Sequence, residues 1–238
     1  MTVDVCFSPA LYPYYAGDAD KVVVVTDIFR ASTTMCAALN NGASSVIPVA
    51  SIEEAKAYKE KGYLVGAERN VKRCDFADFG NSPFDYTPEK VGEKDIVFTT
   101  TNGTQAIEQA KDASELIIGA FVNIRATLDF CLEQGKDVII LCAGWNNRFN
   151  MEDTLFGGAL AAVLKFKGWQ SASDASLIAM QMWREAKNDI RKYVGQSEHI
   201  KRLESNGLLK DADYCLTLDA IDIVPVYDKA NKKLVPYG

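Results

Sequence analysis

Four consecutive valines, Val22 to Val25, constrain this chain more than any other feature. A β-branched run without polar alternation has no face for water, so it belongs to a strand covered on both sides, as in a parallel sheet. The valine strand spans Val22 to Asp27. Other stretches read the same way: Val3 to Phe7, Ser45 to Ala50, Tyr63 to Glu68, Asp95 to Thr100, Glu115 to Ala120 and Asp137 to Gly144. Helical patterns lie between them. Ala31 to Asn40 ends at Gly42. Ser51 and Glu54 form a capping box that opens a helix stopping near Gly62. Asn123 is placed to cap a helix running to Gln134, and Glu152 to Phe166 ends at Gly168. That last helix is apolar nearly all round, which places it inside the fold. Ser173 to Asn206 reads as largely helical, and the tail IVPVYDKANKKLVPYG as a hairpin turning at Lys229 to Lys232. The expectation is an α/β fold: one compact domain over residues 1–238, with a mostly parallel or mixed sheet flanked by helices and closed by a C-terminal hairpin.

Composition narrows the function. A hydrophobic fraction of 48% supplies a large core, and a net charge of −6 argues against a nucleic-acid surface. The six cysteines form no CxxC pair and no zinc spacing, and most sit among apolar neighbours as buried thiols. MTVDVCFSPA lacks the pattern of a signal peptide, and no apolar run reaches the ~18 residues of a membrane span. A cytoplasmic protein without membrane or nucleic-acid partners is expected. A homodimer is a reasonable assembly for it, and the sequence leaves the oligomeric state open. His199 is the only histidine; its polar surroundings, GQSEHIKRLES, predict a solvated surface position.

Two strand-to-helix turns carry the chemistry. KVVVVTDIFRASTT ends in Asp27, Arg30 and the hydroxyls Ser32, Thr33 and Thr34. DIVFTTTNGTQAI ends in Thr100, Asn102, Gly103 and Thr104. Such turns gather free N–H groups at the positive end of a helix dipole, where phosphate is favoured. Asp27 is a candidate magnesium ligand or nucleophilic carboxylate; its alternative is a helix cap. Glu152 and Asp153 are candidate metal ligands at a helix start, or simply complement its dipole. Arg30, Arg69, Arg73, Arg125 and Arg148 offer forks for a multiply anionic substrate. The sequence is not a P-loop and lacks the second aspartate of a haloacid-dehalogenase phosphatase, since Ile28 and Phe29 follow Asp27.

TDIFRASTT, GAERN, FGNSPFDY, FTTTNGTQAI, GAFVNIRAT and CAGWNNRFNMEDTLFGGAL follow one another in order. This set resembles the 2-phosphosulfolactate phosphatase (ComB) family, strongly over residues 1–168 and more loosely beyond. The resemblance implies a Mg2+-dependent hydrolase that converts 2-phospho-3-sulfolactate to 3-sulfolactate and phosphate, an early step where coenzyme M is made. It implies Asp27, Arg30 and Glu68 as catalytic groups. Asn81, Thr100, Asn102, Gly103, Thr104, Asn123 and Arg125 would bind substrate, and Asp27, Glu152 and Asp153 would lie near the metal. The family usually carries leucine and threonine where this chain has Phe29 and Ser32. A phosphate-binding or regulatory protein without turnover is the alternative from another class.

Overall fold

The computed structural model describes residues 1–17 and 20–238. Its strands are β1 (Thr2–Cys6), β2 (Lys21–Thr26), β3 (Ser45–Pro48), β4 (Leu64–Arg69), β5 (Lys72–Arg73), β6 (Asp95–Thr99), β7 (Glu115–Ile118), β8 (Asp137–Cys142), β9 (Gln170–Ser171), β10 (Val224–Asp228) and β11 (Lys233–Tyr237). Its helices are α1 (Pro13–Ala16), α2 (Ala31–Asn40), α3 (Ile52–Glu60), α4 (Pro88–Val91), α5 (Gly103–Ala110) and α6 (Ile124–Gln134). They continue as α7 (Met151–Phe166), α8 (Asp174–Ala186), α9 (Ile190–Val194), α10 (Glu198–Ser205) and α11 (Leu209–Cys215). Among the described residues, no helix is long and apolar enough to cross a membrane.

All the strands join one mixed sheet in the order β5-β4-β6-β3-β11-β10-β7-β2-β8-β1-β9. The valine strand lies between two parallel partners: Val22 faces Glu115 of β7 and Val138 of β8. Val22 to Thr26 are buried, as a strand without a polar face requires. β4, β6 and β3 form a second parallel group.

The C-terminal hairpin forms as expected, but it lies in the middle of the sheet. β10 runs antiparallel to β7 and β11 antiparallel to β3, in registers that pair Val226 with Ile117 and Leu234 with Val46. With the hairpin's own antiparallel pairing, this reverses the sense of one parallel group relative to the other. In a flat sheet the carboxyl ends of the two groups would leave by opposite edges. A Cβ on Gly103, at the end of the second group, would lie 2.8 Å from the Ala31 side chain at the end of the first. The sheet therefore turns across the hairpin, and both sets of strand ends meet.

Several strands stop short of their expected ends. Asp27, Thr100, Ala120 and Gly144 lie beyond the ladder, in the turns. Ser173 to Asn206 divides into three helices, with Asp189 and Ser197 capping the later two. α11 and the edge strands β5 and β9 carry no periodic signal long enough to find.

α7 is buried from Glu152 to Ala161, as its all-round apolar pattern predicts. It packs backbone to backbone against α8: a Cβ on Gly158 would lie 2.0 Å from the Ala179 carbonyl oxygen. Backbone cannot swing aside as a side chain does. Gly158→Ala is expected to cost about 1–3 kcal/mol, read as a lower urea midpoint. An unchanged midpoint would contradict the close helix contact.

Candidate active site

The β2–α2 turn is held by its own hydroxyls. The Asp27 N–H donates to Ser32 Oγ at 2.8 Å, and the Ser32 N–H returns a bond to the Asp27 carbonyl at 2.9 Å. Thr33 Oγ1 donates to the Ile28 carbonyl and Thr34 Oγ1 to the Asn81 carbonyl, at 3.4 and 3.0 Å. These hydroxyls bond to backbone groups, and none of the three residues lines the cavity that gathers the other site residues. Arg30 occupies the N-cap position of α2 without a side-chain cap, so Asp27 is not the capping residue. Burial pushes the Asp27 carboxyl up to about 6; His199 and the Ala31 N–H oppose the rise, while the charges of Glu68 and Glu152 add to it.

The β6–α5 turn is held in the same way. The Thr100 N–H donates to Thr104 Oγ1 at 3.2 Å, and that hydroxyl donates to the Thr100 carbonyl at 3.0 Å. Asn102 occupies the N-cap position of α5 without capping it. Its Oδ1 accepts the Asn146 N–H at 3.1 Å instead. Thr100 Oγ1 accepts the Thr104 N–H at 3.4 Å, which leaves the Gly103 and Gln105 N–H groups at the start of α5 for an anion. Gly103 is where the two turns touch: a Cβ there would come within 2.9 Å of Asp27 Oδ2.

Asp27, Arg30, Glu68, Asn81, Thr100 and Asn102 line one cavity together with Trp145 and His199. It holds about 10 Å3, room for one water molecule. A much larger cleft of about 780 Å3, beside the hairpin, contains none of these residues and mixes lysines with carboxylates. The predicted site residues gather in the small cavity.

Arg30 is buried, and its Nη1 donates to Asp211 Oδ2 at 2.7 Å. Asp211 also accepts from Ser82 Oγ at 3.0 Å, so Ser82 does not cap the turn after it. Glu68 Oε1 accepts the Val71 N–H. Asn81 Oδ1 is buried with no partner in the protein.

Six predicted residues stand apart from the cavity wall: Gly103 and Thr104, which build the turn behind it, and Asn123, Arg125, Glu152 and Asp153. Asn123 does not cap α6. Its Oδ1 accepts the Ala120 N–H at 2.8 Å, and its Nδ2 donates to the Ile118 and Ile223 carbonyls, tying β7 to the tail. Arg125 is exposed and pairs with Asp222 at 3.1 Å. Asp153 accepts N–H bonds from Ile28 at 2.8 Å and Gly144 at 3.0 Å, and one from Asn150 Nδ2 at 2.9 Å. It joins the ends of β2 and β8; burial, with the charges of Asp27 and Glu152, holds its carboxyl well above the usual range. Glu152 lies behind His199, with Oε1 2.8 Å from Nδ1 and Oε2 buried without a partner. Of the five arginines considered, only Arg30 reaches the wall.

His199 corrects the surface expectation. It is 8% exposed and lies on the cavity wall. The signal was in the spacing: His199 is four residues before Leu203 and next to Ile200, on the buried face of α10. Trp145 and Asp211 were missed too, because nothing local distinguishes them from surface residues.

The wall suits a hard cation. It offers the carboxylates of Asp27 and Glu68 and the unpartnered Asn81 Oδ1, all oxygen donors. Among the described residues no three His, Cys, Asp or Glu side chains form a ready cage. Magnesium does not need one, since it keeps waters and takes one or two carboxylates.

A family model described as 2-phosphosulpholactate phosphatase matches residues 6–230. The chain belongs to that family. A relative from Thermotoga petrophila, named "Probable 2-phosphosulfolactate phosphatase", is 40% identical over 205 residues, covering 86% of this chain and 88% of the relative. One of the same name from Caldanaerobacter subterraneus subsp. tengcongensis is 38% identical over 210 residues, covering 87% of each. Another, from Clostridium botulinum (strain Eklund 17B / Type B), is 36% identical over 235 residues, covering 96% of this chain and 97% of the relative. For this family member, the motifs of the first 168 residues and the helices beyond them build one cavity.

The Asp27 carboxyl binds a proton more tightly in the folded chain than in the unfolded one. Its stabilising contribution is therefore complete below about pH 4 and lost as pH rises through about 6. Without metal, Asp27→Asn is expected to raise stability at pH 7.5 by up to roughly 3 kcal/mol. The gain should vanish near pH 4. Urea unfolding in EDTA at both pH values checks this; an equal effect at the two would contradict it.

Asp211→Asn removes the charge that pairs with buried Arg30. A loss of about 3–5 kcal/mol is expected. It should appear as a lower melting temperature that Asp211→Glu partly restores.

Proposed function

We propose that this chain is a Mg2+-dependent phosphatase acting on 2-phospho-3-sulfolactate or a closely related small acidic phosphomonoester, releasing the hydroxy acid and inorganic phosphate. The observation that carries the proposal is the meeting of Asp27, Arg30 and Glu68 with Asn102, the N-cap of α5, in one buried cavity. Hydrolysis of a phosphate ester needs its charge neutralised, water positioned and the departing oxygen stabilised. The cavity admits one water as it stands, so it would widen toward the adjoining groove at Thr101 and Asn102 for Arg30 and the α5 N–H groups to hold phosphoryl oxygens. Asp27, whose carboxyl is raised by burial to about 6 in the metal-free chain, is ionised at neutral pH and would take a proton from the attacking water. A bound Mg2+, held by Asp27 and Glu68 with the Asn81 amide oxygen, would neutralise charge on the phosphoryl group.

The rest of the substrate has a place. Beyond Thr101 and Asn102 a groove of about 440 Å3 opens, lined by the amides of Gln105, Gln109, Asn146 and Asn147. Neutral amide N–H groups can hydrogen-bond carboxylate or sulfonate oxygens. With Arg125 elsewhere, this groove replaces the expected ring of arginines.

The test is phosphate release from a panel of phosphorylated hydroxy acids, with Mg2+ or with EDTA. Turnover is expected with Mg2+ only, and Asp27→Ala should lower kcat by about 10²–10⁴-fold. Folded, Mg2+-supplied protein inactive on every member would refute the proposal.

A further inference from the structure

We propose that His199 is the acid that protonates the departing oxygen of the phosphoester, with Glu152 as its positioning residue. This rests on the phosphatase reading and adds the proton donor that reading leaves unassigned.

An alkoxide leaving group is strongly basic, so the reaction needs a donor beside the bond that breaks. Few groups on the wall can serve. Arg30 stays protonated and is bound to Asp211. Asp27 and Glu68 are committed to the water and the cation. Asn81, Thr100 and Asn102 do not ionise. The nearby Tyr86 hydroxyl is buried and donates to the Gly80 carbonyl at 2.8 Å. Asp153 lies off the wall with both oxygens bonded. His199 remains.

Its geometry fits the role. Nδ1 is 2.8 Å from Glu152 Oε1, so an ionised Glu152 takes the Nδ1 hydrogen and charge-pairs with the imidazolium, the form that carries a second hydrogen on Nε2 to give to the leaving oxygen. Nε2 has no partner in the protein and is not among the sealed polar atoms, while the ring borders the cavity. The Phe29 ring meets the imidazole edge-on, centroids 5.5 Å apart at 90°. Trp145 lies 5.7 Å away, held in turn by the Arg202 guanidinium 3.7 Å over its ring. The imidazole cannot turn away without breaking the Glu152 bond and disturbing two aromatic contacts. Such fixing suits proton transfer to one position.

The step balances. The water oxygen forms a bond to phosphorus as its proton passes to the Asp27 carboxylate. The bond from phosphorus to the ester oxygen breaks, and that oxygen takes the Nε2 proton. The products are the alcohol and hydrogen phosphate. Asp27 then returns its proton to His199 through solvent.

The test varies the leaving group. Wild type, His199→Gln and Glu152→Gln would be assayed with Mg2+ on 2-phospholactate, 2-phosphoglycolate, phosphoenolpyruvate and phenyl phosphate. An acid catalyst matters most for the most basic leaving oxygen. His199→Gln is expected to lose about 10²–10³-fold in kcat on the alkyl phosphates. On the enol and phenyl esters it should lose less than about tenfold, and Glu152→Gln should fall between it and wild type. A loss in His199→Gln that is uniform across the substrates accepted by wild type would overturn the inference and leave the phosphatase reading intact. No turnover by folded wild type would overturn both. A urea midpoint for each variant identifies a loss due to unfolding, which would be uniform and count against the role.

Discussion

Gly103 has no side chain, and the site depends on it. At this residue the end of β6 presses against the end of β2, close enough that a methyl group would overlap both Ala31 and Asp27. The contact brings two helix N-termini to one place although the strands before them belong to groups of opposite sense. One turn supplies a carboxylate and a guanidinium. The other supplies open N–H groups. Neither set alone would serve a phosphate ester: the first lacks enough donors and the second lacks a base.

The buried charges are arranged around that contact. Arg30 is anchored by Asp211 from α11, and His199 by Glu152 from α7. Taking such groups out of water is costly unless each finds a partner. The C-terminal helices provide two of those partners. They bear directly on the site's electrostatics, although they contain little of the motif set.

Much of the architecture was legible because it follows local rules. The valine run has no side for water, so its place between two strands was evident. Ser51, Gly42, Gly62 and Gly168 mark helix ends by capping and by left-handed backbone. Within the site, Asp27 and Arg30 could be singled out because charge directly after an apolar strand needs a reason. Other features misled. The hydroxyls at Ser32 to Thr34 looked ligand-directed, but Ser32 and Thr33 satisfy their own turn and Thr34 ties it to the Asn81 carbonyl. Asn123 and Arg125 had suitable chemistry, but the first braces β7 and the second faces solvent. Hydrogen-bonding capacity can be read from a residue type; the partner cannot.

The sequence by itself determined the class of fold, the ends of several helices in the first 168 residues, the two phosphate-suited turns and the resemblance that family membership bears out. Each rests on neighbours within a few residues or on motif order. Only the tertiary structure decided that the hairpin enters mid-sheet, that Glu152 and Asp153 sit behind the cavity, and that His199 faces into it. Those outcomes turn on contacts between residues far apart in the chain, such as the 47-residue separation of Glu152 and His199. Local periodicity can show which face of a helix is buried. What that face meets is set by how the whole chain packs.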